Sequence, residues 1–166
     1  MYETRKNLIV KILVWFVYLL IAYIMQGIVF SRITVFGAKP LILPLVAVGA
    51  AVFDGRVTGG IVGICAGMLC DISFNEATVV FTLTLTFLGL ITGYLAETLL
   101  VKSFLTYVVV SFFALAVCAA VQIFGLVFVY STPVSVLFET VLRQTAASMI
   151  FTLPLYPVTR SVTKAM

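Results

Sequence analysis

The sequence predicts an all-α protein, a single polytopic membrane domain over residues 1–166 that is built from about six transmembrane helices. Of the 166 residues, 63% are hydrophobic and only 10% are charged, a composition outside that of ordinary soluble domains. The hydrophobic residues form six runs with short polar turns between them. Because a helix needs roughly 20 apolar residues to cross a bilayer, these runs leave no room for a separate soluble domain. Strands of a β-barrel, roughly ten alternating residues each, are excluded.

The first two predicted spans lie near residues 8–30 and 38–53. Arg5 and Lys6 precede the first run as in a signal peptide, but its length and the lack of a small-residue cleavage site predict an uncleaved helix. Pro44 falls in the first turns of the second run, where a missing amide hydrogen costs little. The second and third runs are short for a membrane span. Tilt, local bilayer thinning or a partly re-entrant segment are alternatives for them, as is a total of five spans.

The third and fourth predicted spans, near 57–72 and 77–96, contain regularly spaced glycines. Four-residue spacing places side-chain-free positions on one helix face, where another backbone can approach closely. We therefore expect the third helix to lie at the centre of the bundle and the fourth to pack against it. Docking of a partner helix on the same face is the alternative. The glycines are Gly59, Gly63 and Gly67 in the third span, and Gly89 and Gly93 in the fourth.

The fifth and sixth predicted spans lie near 104–129 and 134–158. The sixth span is expected to end around Pro154 and Pro157, because proline lacks the amide hydrogen that continues a helix. With these two spans, about three quarters of the chain is predicted to be apolar helix.

Two charged residues lie inside the sixth span. Glu139 and Arg143 are four residues apart with the acid first, which favours an ion pair on one helix face. Arg143 is about four turns from the predicted helix end, so we expect it to face the bundle interior, a cavity or another subunit. The pair either stabilises the structure alone or contacts a ligand or a partner.

Two acidic residues lie at the end of the third span and just after it. Asp71 directly follows the glycine-rich run, where a carboxylate is costly unless it is hydrated, hydrogen-bonded or paired. It serves as a stop signal at the end of its helix, as a cap for the next helix, or as a contact for a partner. Glu76 is near enough in sequence to share either role.

Basic residues between the spans and near their ends predict the topology, because cytoplasmic loops of membrane proteins are enriched in them. If both termini are cytoplasmic, seven basic residues lie on that side and two on the other. The seven are Arg5, Lys6, Lys11, Arg56, Lys102, Arg160 and Lys164, and the two are Arg32 and Lys39. We therefore expect both termini in the cytoplasm.

Composition and motifs argue against catalysis. The chain has no histidine, which excludes Ser-His-Asp triads and histidine metal sites. Its three cysteines, Cys65, Cys70 and Cys118, lie in apolar runs and are interpreted as buried packing residues. No phosphate-binding loop occurs, and topology accounts for the net charge of +4. We expect no enzyme activity, no metal or other cofactor and no nucleic-acid partner.

The sequence GGIVGICAGMLCD at 59–71, followed by GYLA at 93–96, resembles the core of the bacterial rod shape-determining membrane protein family MreD. Members of that family typically have a glycine-spaced third helix ending in "GLL-x-D" and a next helix ending in "GYLAG" or similar. Gln26, at the end of the first span, and the basic end after Pro157 are similar to the family as well.

This resemblance implies a function without chemistry. The chain would be a multi-pass scaffold in the bacterial cell membrane, within the cell-elongation (rod) complex that maintains cell shape and peptidoglycan synthesis. Its direct partner would be the bitopic protein MreC, and through it the MreB cytoskeleton and the peptidoglycan synthases. Homo-oligomers within the complex are compatible with this function.

The alternative function is that of the substrate-binding S-component of an energy-coupling-factor vitamin transporter, a protein similar to MreD in size, helix count and fold. Such a subunit needs an outward-facing polar pocket. The side chains available to line it are Glu76, Gln122, Glu139 and Arg143. Neighbouring genes for cell-wall synthesis would favour the scaffold function. Neighbouring genes for ATPases would favour the transporter function.

Overall fold

The computed structural model describes residues 2–32, 40–74, 79–98, 103–130 and 134–164. These residues form six α-helices and no strand: α1 (Tyr2–Arg32), α2 (Leu43–Asp54), α3 (Arg56–Phe74), α4 (Val80–Thr98), α5 (Phe104–Tyr130) and α6 (Val134–Lys164). Four of them, α1, α3, α4 and α5, are long and apolar enough to cross a membrane. The prediction of an all-α helical bundle is confirmed for these residues, and the number of membrane crossings stays a prediction.

Helix α2 lies at the centre of the bundle. Its sequence before Asp54, LPLVAVGAAVF, contains no polar side chain, so no face of the helix favours water. All of its residues from Leu43 to Phe53 are buried, and it contacts each of the other five helices. The expectation that the third helix occupies the centre is therefore wrong. The signal for the correct assignment was the absence of a polar face on α2.

Side chains from other helices stabilise the start of α2. With 12 residues, α2 is about 18 Å long, well short of a hydrocarbon core of about 30 Å. Gln26 Oε1 of α1 accepts hydrogen bonds from the N–H groups of Ile42 (3.0 Å) and Leu43 (3.3 Å). Ser148 Oγ of α6 accepts one from the N–H of Leu41 (2.8 Å). Since non-helical backbone at membrane depth must be enclosed by protein and hydrogen-bonded, α1 and α6 make this short helix stable.

Helices α3 and α4 form the most extensive helix pair. A Cβ atom built on Gly63 would lie 2.5 Å from the carbonyl oxygen of Leu85, and one on Gly67 would lie 2.8 Å from the backbone nitrogen of Thr82. Real Cβ atoms do not approach backbone this closely, so only glycine permits the contact. All five glycines of the predicted packing face lie at this contact: Gly59, Gly63, Gly67, Gly89 and Gly93.

Helix α6 does not end at its prolines. It continues through Pro154 and Pro157 to Lys164, so the prolines do not end the helix as expected, and the end of the membrane span stays a prediction. Threonines on both sides of the prolines, Thr152 and Thr159, donate their hydroxyl hydrogens to carbonyls of the same helix at 2.6 and 2.9 Å. The carbonyls that accept these hydroxyls are not the ones that the prolines leave without an N–H partner, so the hydroxyls reinforce the helix beside the prolines.

Contacts between helices show which helix ends lie together at one end of the bundle. Lys11, near the start of α1, lies 3.6 Å from Asp54 at the end of α2. Phe104, at the start of α5, packs on Tyr156 near the end of α6, with ring centroids 4.9 Å apart, and Phe53 of α2 packs on the same ring. Helix α1 therefore begins, and α6 ends, at one end of the bundle, which we call the terminal end. The side of the membrane on which it lies stays a prediction.

Candidate functional site

Asp71 caps the helix that follows it. Its Oδ1 accepts a hydrogen bond from the N–H of Phe81 at 3.0 Å, and its Oδ2 accepts from the N–H and the hydroxyl of Thr82 at 3.0 and 2.6 Å. The first N–H groups of a helix have no partner within it, and their positive charge favours a carboxylate. Only 7% of Asp71 is exposed, so the carboxylate is enclosed between α3 and α4. These contacts correspond to the capping alternative.

Glu97 makes the corresponding contact at the terminal end of the same helix pair. Its Oε1 accepts a hydrogen bond from the N–H of Arg56, the first residue of α3, at 2.9 Å, and its Oε2 lies 3.7 Å from the Arg56 Nε. Neither α3 nor α4 has an acidic residue in its own first turn. Each helix therefore receives its cap from the other, and the glycine contact lies between the two carboxylates.

A third carboxylate, that of Asp54, was not among the predicted site residues and holds α1 on the bundle. The Asp54 side chain is only 2% exposed, accepts a hydrogen bond from the indole N–H of Trp15, and pairs with Lys11. Lys11 and Trp15 are four residues apart, so both lie on one face of α1. That face is thereby attached to the end of α2. The sequence contains a signal for this contact. Lys11 and Trp15 share one face of the first helix, and the turn after the second apolar run contains an acid, Asp54, that could pair with them.

Asp54→Ala is expected to loosen α1. The change leaves the Trp15 indole and Lys11 without their shared partner, and losing a hydrogen bond to a charged group costs about 1.5–3 kcal/mol. Trp15 is the only tryptophan of the chain, so intrinsic fluorescence reports on this contact directly. We expect a red-shifted emission maximum and a lower melting temperature.

Lys11→Ala is the matched control for Asp54→Ala. Its ammonium group is partly exposed, and exposed ion pairs contribute about 1 kcal/mol or less, so a smaller effect is expected. If Asp54→Ala leaves both the emission and the melting temperature of the wild type, this carboxylate does not hold α1 on the bundle.

Glu139 and Arg143 form the expected ion pair, but on the outside of α6. Their side chains are 65% and 55% exposed, so Arg143 does not face the interior of its own bundle, and a contact with another subunit stays a prediction. Burial between helices would cost both charges their hydration, and a pair made within one helix needs no partner from the bundle interior.

The side chains named for a ligand pocket are not brought together in the described residues. Gln122 is buried on α5, and its Nε2 has no hydrogen-bond partner there. Glu139 and Arg143 are exposed and bond to each other. Glu76 lies outside the described residues. The structure therefore places one of the four groups in the interior of the bundle.

The described residues contain no group of three side chains able to hold a metal ion. Cys70 and Cys118 are buried and Cys65 is half-buried, and all three are free thiols. They occupy the core among apolar neighbours, which is the arrangement of packing residues.

No family model, curated protein or solved structure matches this chain. The likeness to MreD rests on the motifs at 59–71 and 93–96 and on the residues around them. In the structure, the motif residues lie in α3 and α4, where they form the glycine contact and the Asp71 cap.

Proposed function

We propose that this chain is a non-enzymatic membrane scaffold of the bacterial rod complex, similar to MreD, which supports cell shape and peptidoglycan synthesis through MreC. The observation that carries the proposal is the correspondence between the motif and one structural unit. The glycines of 59–71 and 93–96 form the backbone contact between α3 and α4, and Asp71, the last residue of the first motif, caps α4. A motif of this kind preserves the geometry of a helix pair, which is what a scaffold must maintain.

The physical character of the bundle supports the same function. The α3–α4 contact is made by backbone atoms, and α2 is enclosed on every face, so the centre of the molecule has little freedom to deform. Partners would be reached through the outer helix faces and the short turns. We place the protein in the bacterial cell membrane with both termini in the cytoplasm, in contact with MreC and, through it, with MreB and the wall synthases.

Affinity purification tests this function. The tagged full-length chain is recovered from gently solubilised native membranes, and co-purifying proteins are identified by mass spectrometry. We expect MreC and peptidoglycan synthases. Recovery of a transport ATPase module in their place would overturn the scaffold function.

Two glycine variants provide the matched control for that purification. Gly63→Leu disrupts the α3–α4 contact and is expected to lose MreC. A Cβ on Gly27 meets no atom within 4 Å, so Gly27→Leu is expected to retain MreC. Equal recovery of MreC by both variants would show that the α3–α4 unit does not support the interaction.

The vitamin-binding S-component is the second candidate. Its supporting observation is Gln122, whose buried amide nitrogen lacks a partner in the described residues and is available for a polar ligand. Against it, Glu139 and Arg143 pair with each other on the surface and do not converge with Gln122. A vitamin that raises the melting temperature of the purified chain, with the effect lost in Gln122→Leu, would favour this function.

A further inference from the structure

Arg160 differs from the other basic residues whose side chains the structure describes. Three of those residues lie within 4.0 Å of a carboxylate: Lys11 with Asp54, Arg56 with Glu97, and Arg143 with Glu139. The Arg160 Nη1 instead donates to the neutral hydroxyl of Tyr156 at 3.2 Å, and its guanidinium carbon lies 5.9 Å from the centre of the Tyr156 ring. Within the described part of the chain, Arg160 is therefore a cation without a counter-charge.

The Tyr156 ring that holds Arg160 is itself fixed. It contacts Phe104 edge-on with centroids 4.9 Å apart, and Phe53 and Tyr107 at 5.9 and 6.0 Å. A ring packed between helices α2, α5 and α6 has little freedom, so the guanidinium above it is pre-oriented. Arginine has five N–H donors, of which the Tyr156 hydroxyl uses one. The guanidinium is exposed and ready to donate to an anion.

Arg160 lies where a lipid headgroup would be. Phe53 and Phe104 mark the level at which α2 ends and α5 begins, and Arg160 is one turn beyond the ring that packs on them. Aromatic rings followed by a basic residue are typical of the membrane interface. Toward the middle of the bundle, the α6 face that carries Arg160 continues with Pro157 and with Leu153, which is 60% exposed. A cation thus adjoins an apolar strip suited to acyl chains.

We propose that Arg160 binds the phosphate of an anionic phospholipid in the leaflet at the terminal end. The guanidinium matches phosphate oxygens with two parallel hydrogen bonds, and the acyl chains lie along Pro157 and Leu153. The adjoining apolar strip favours a lipid over a soluble phosphate or an acidic peptide, neither of which would use it. This site is independent of the scaffold function, because it requires no protein partner.

Lipid binding by the purified full-length chain tests the site. Phosphatidylglycerol and phosphatidylcholine with identical acyl chains are added in detergent, and binding is followed by native mass spectrometry and by the melting temperature. We expect phosphatidylglycerol to bind the wild type more tightly and to raise its melting temperature. Arg160→Gln is expected to weaken phosphatidylglycerol binding about tenfold, the effect of losing charge-assisted hydrogen bonds.

Arg143→Gln is the matched control, since it removes an exposed arginine of the same helix that already pairs with Glu139. It is expected to retain wild-type binding of phosphatidylglycerol. The proposal is overturned if Arg160→Gln binds phosphatidylglycerol as the wild type does, or if the wild type binds both lipids equally. It is overturned as well if inorganic phosphate or an acidic peptide reproduces the rise in melting temperature.

Arg160→Lys keeps the test decisive if Arg160→Gln does not fold. Lysine retains the charge but loses the planar fork and the stacking on Tyr156, so binding of phosphatidylglycerol is expected to weaken severalfold. Wild-type binding by Arg160→Lys would contradict a site built on the guanidinium.

Discussion

Gly63→Leu is expected to prevent stable folding of the chain. A Cβ at this position meets the carbonyl oxygen of Leu85 at 2.5 Å, its carbonyl carbon at 3.1 Å and the Cα of Thr86 at 3.2 Å. All three are backbone atoms of α4, which cannot move aside as the end of a flexible side chain can. Overpacking by a single small group costs about 1–3 kcal/mol, so a leucine here should cost about 4 kcal/mol or more, a large share of the stability of a typical domain. Thermal unfolding in detergent measures the effect.

Gly27→Leu controls for the change in helix propensity and apolar surface. Gly27 lies in α1, where a Cβ meets no atom within 4 Å. Because leucine is a better helix former than glycine, we expect a melting temperature equal to or slightly above that of the wild type. A wild-type melting curve for Gly63→Leu would refute the backbone contact between α3 and α4.

Asp71→Ala is expected to destabilise the chain by about 2–4 kcal/mol, because buried N–H groups without partners cost about 1–3 kcal/mol each. The change removes the acceptor oxygens that Asp71 offers to the buried N–H of Phe81 and to the half-buried N–H of Thr82. Asp71→Asn keeps one acceptor oxygen and is expected to lose about half as much. Thermal unfolding gives the total effect, and hydrogen exchange at Phe81 and Thr82 locates it in the first turn of α4.

Glu97→Ala is the control at the other end of the helix pair. Glu97 and Arg56 are exposed, so water replaces the lost contact and a change of about 1 kcal/mol or less is expected. Equal destabilisation by Asp71→Ala and Glu97→Ala would show that burial of the Asp71 cap has no special effect.

Features of a single helix could be predicted from the sequence. The fifth run, near 104–129, became α5 (Phe104–Tyr130) almost without change, because an uninterrupted apolar run bounded by polar residues defines both ends of a membrane helix. The glycine spacing of 59–71 likewise indicated one packing face, since residues four apart share a helix face wherever the helix lies.

Features that depend on two helices could not be predicted in the same way. Asp54 and Trp15 are 39 residues apart, and only the packing of α1 on α2 brings the indole to the carboxylate. The exposure of Arg143 depends on how α6 is rotated against its neighbours, which an ion pair at i and i+4 does not specify. The second predicted span, near 38–53, is buried over its described apolar residues 40–53, but α2 begins at Leu43, because apolarity indicates burial and not where the backbone becomes helical.

The enclosed position of α2 determines how the chain must be assembled during synthesis. A helix of 12 residues is too short to span a bilayer as an independent unit, so α2 depends on its neighbours, among them α3, to which Gly55 joins it directly. Gln26 is synthesised before α2, but Ser148 is 107 residues beyond Leu41 and is synthesised much later. The start of α2 therefore acquires its full set of hydrogen bonds only when the final helix arrives.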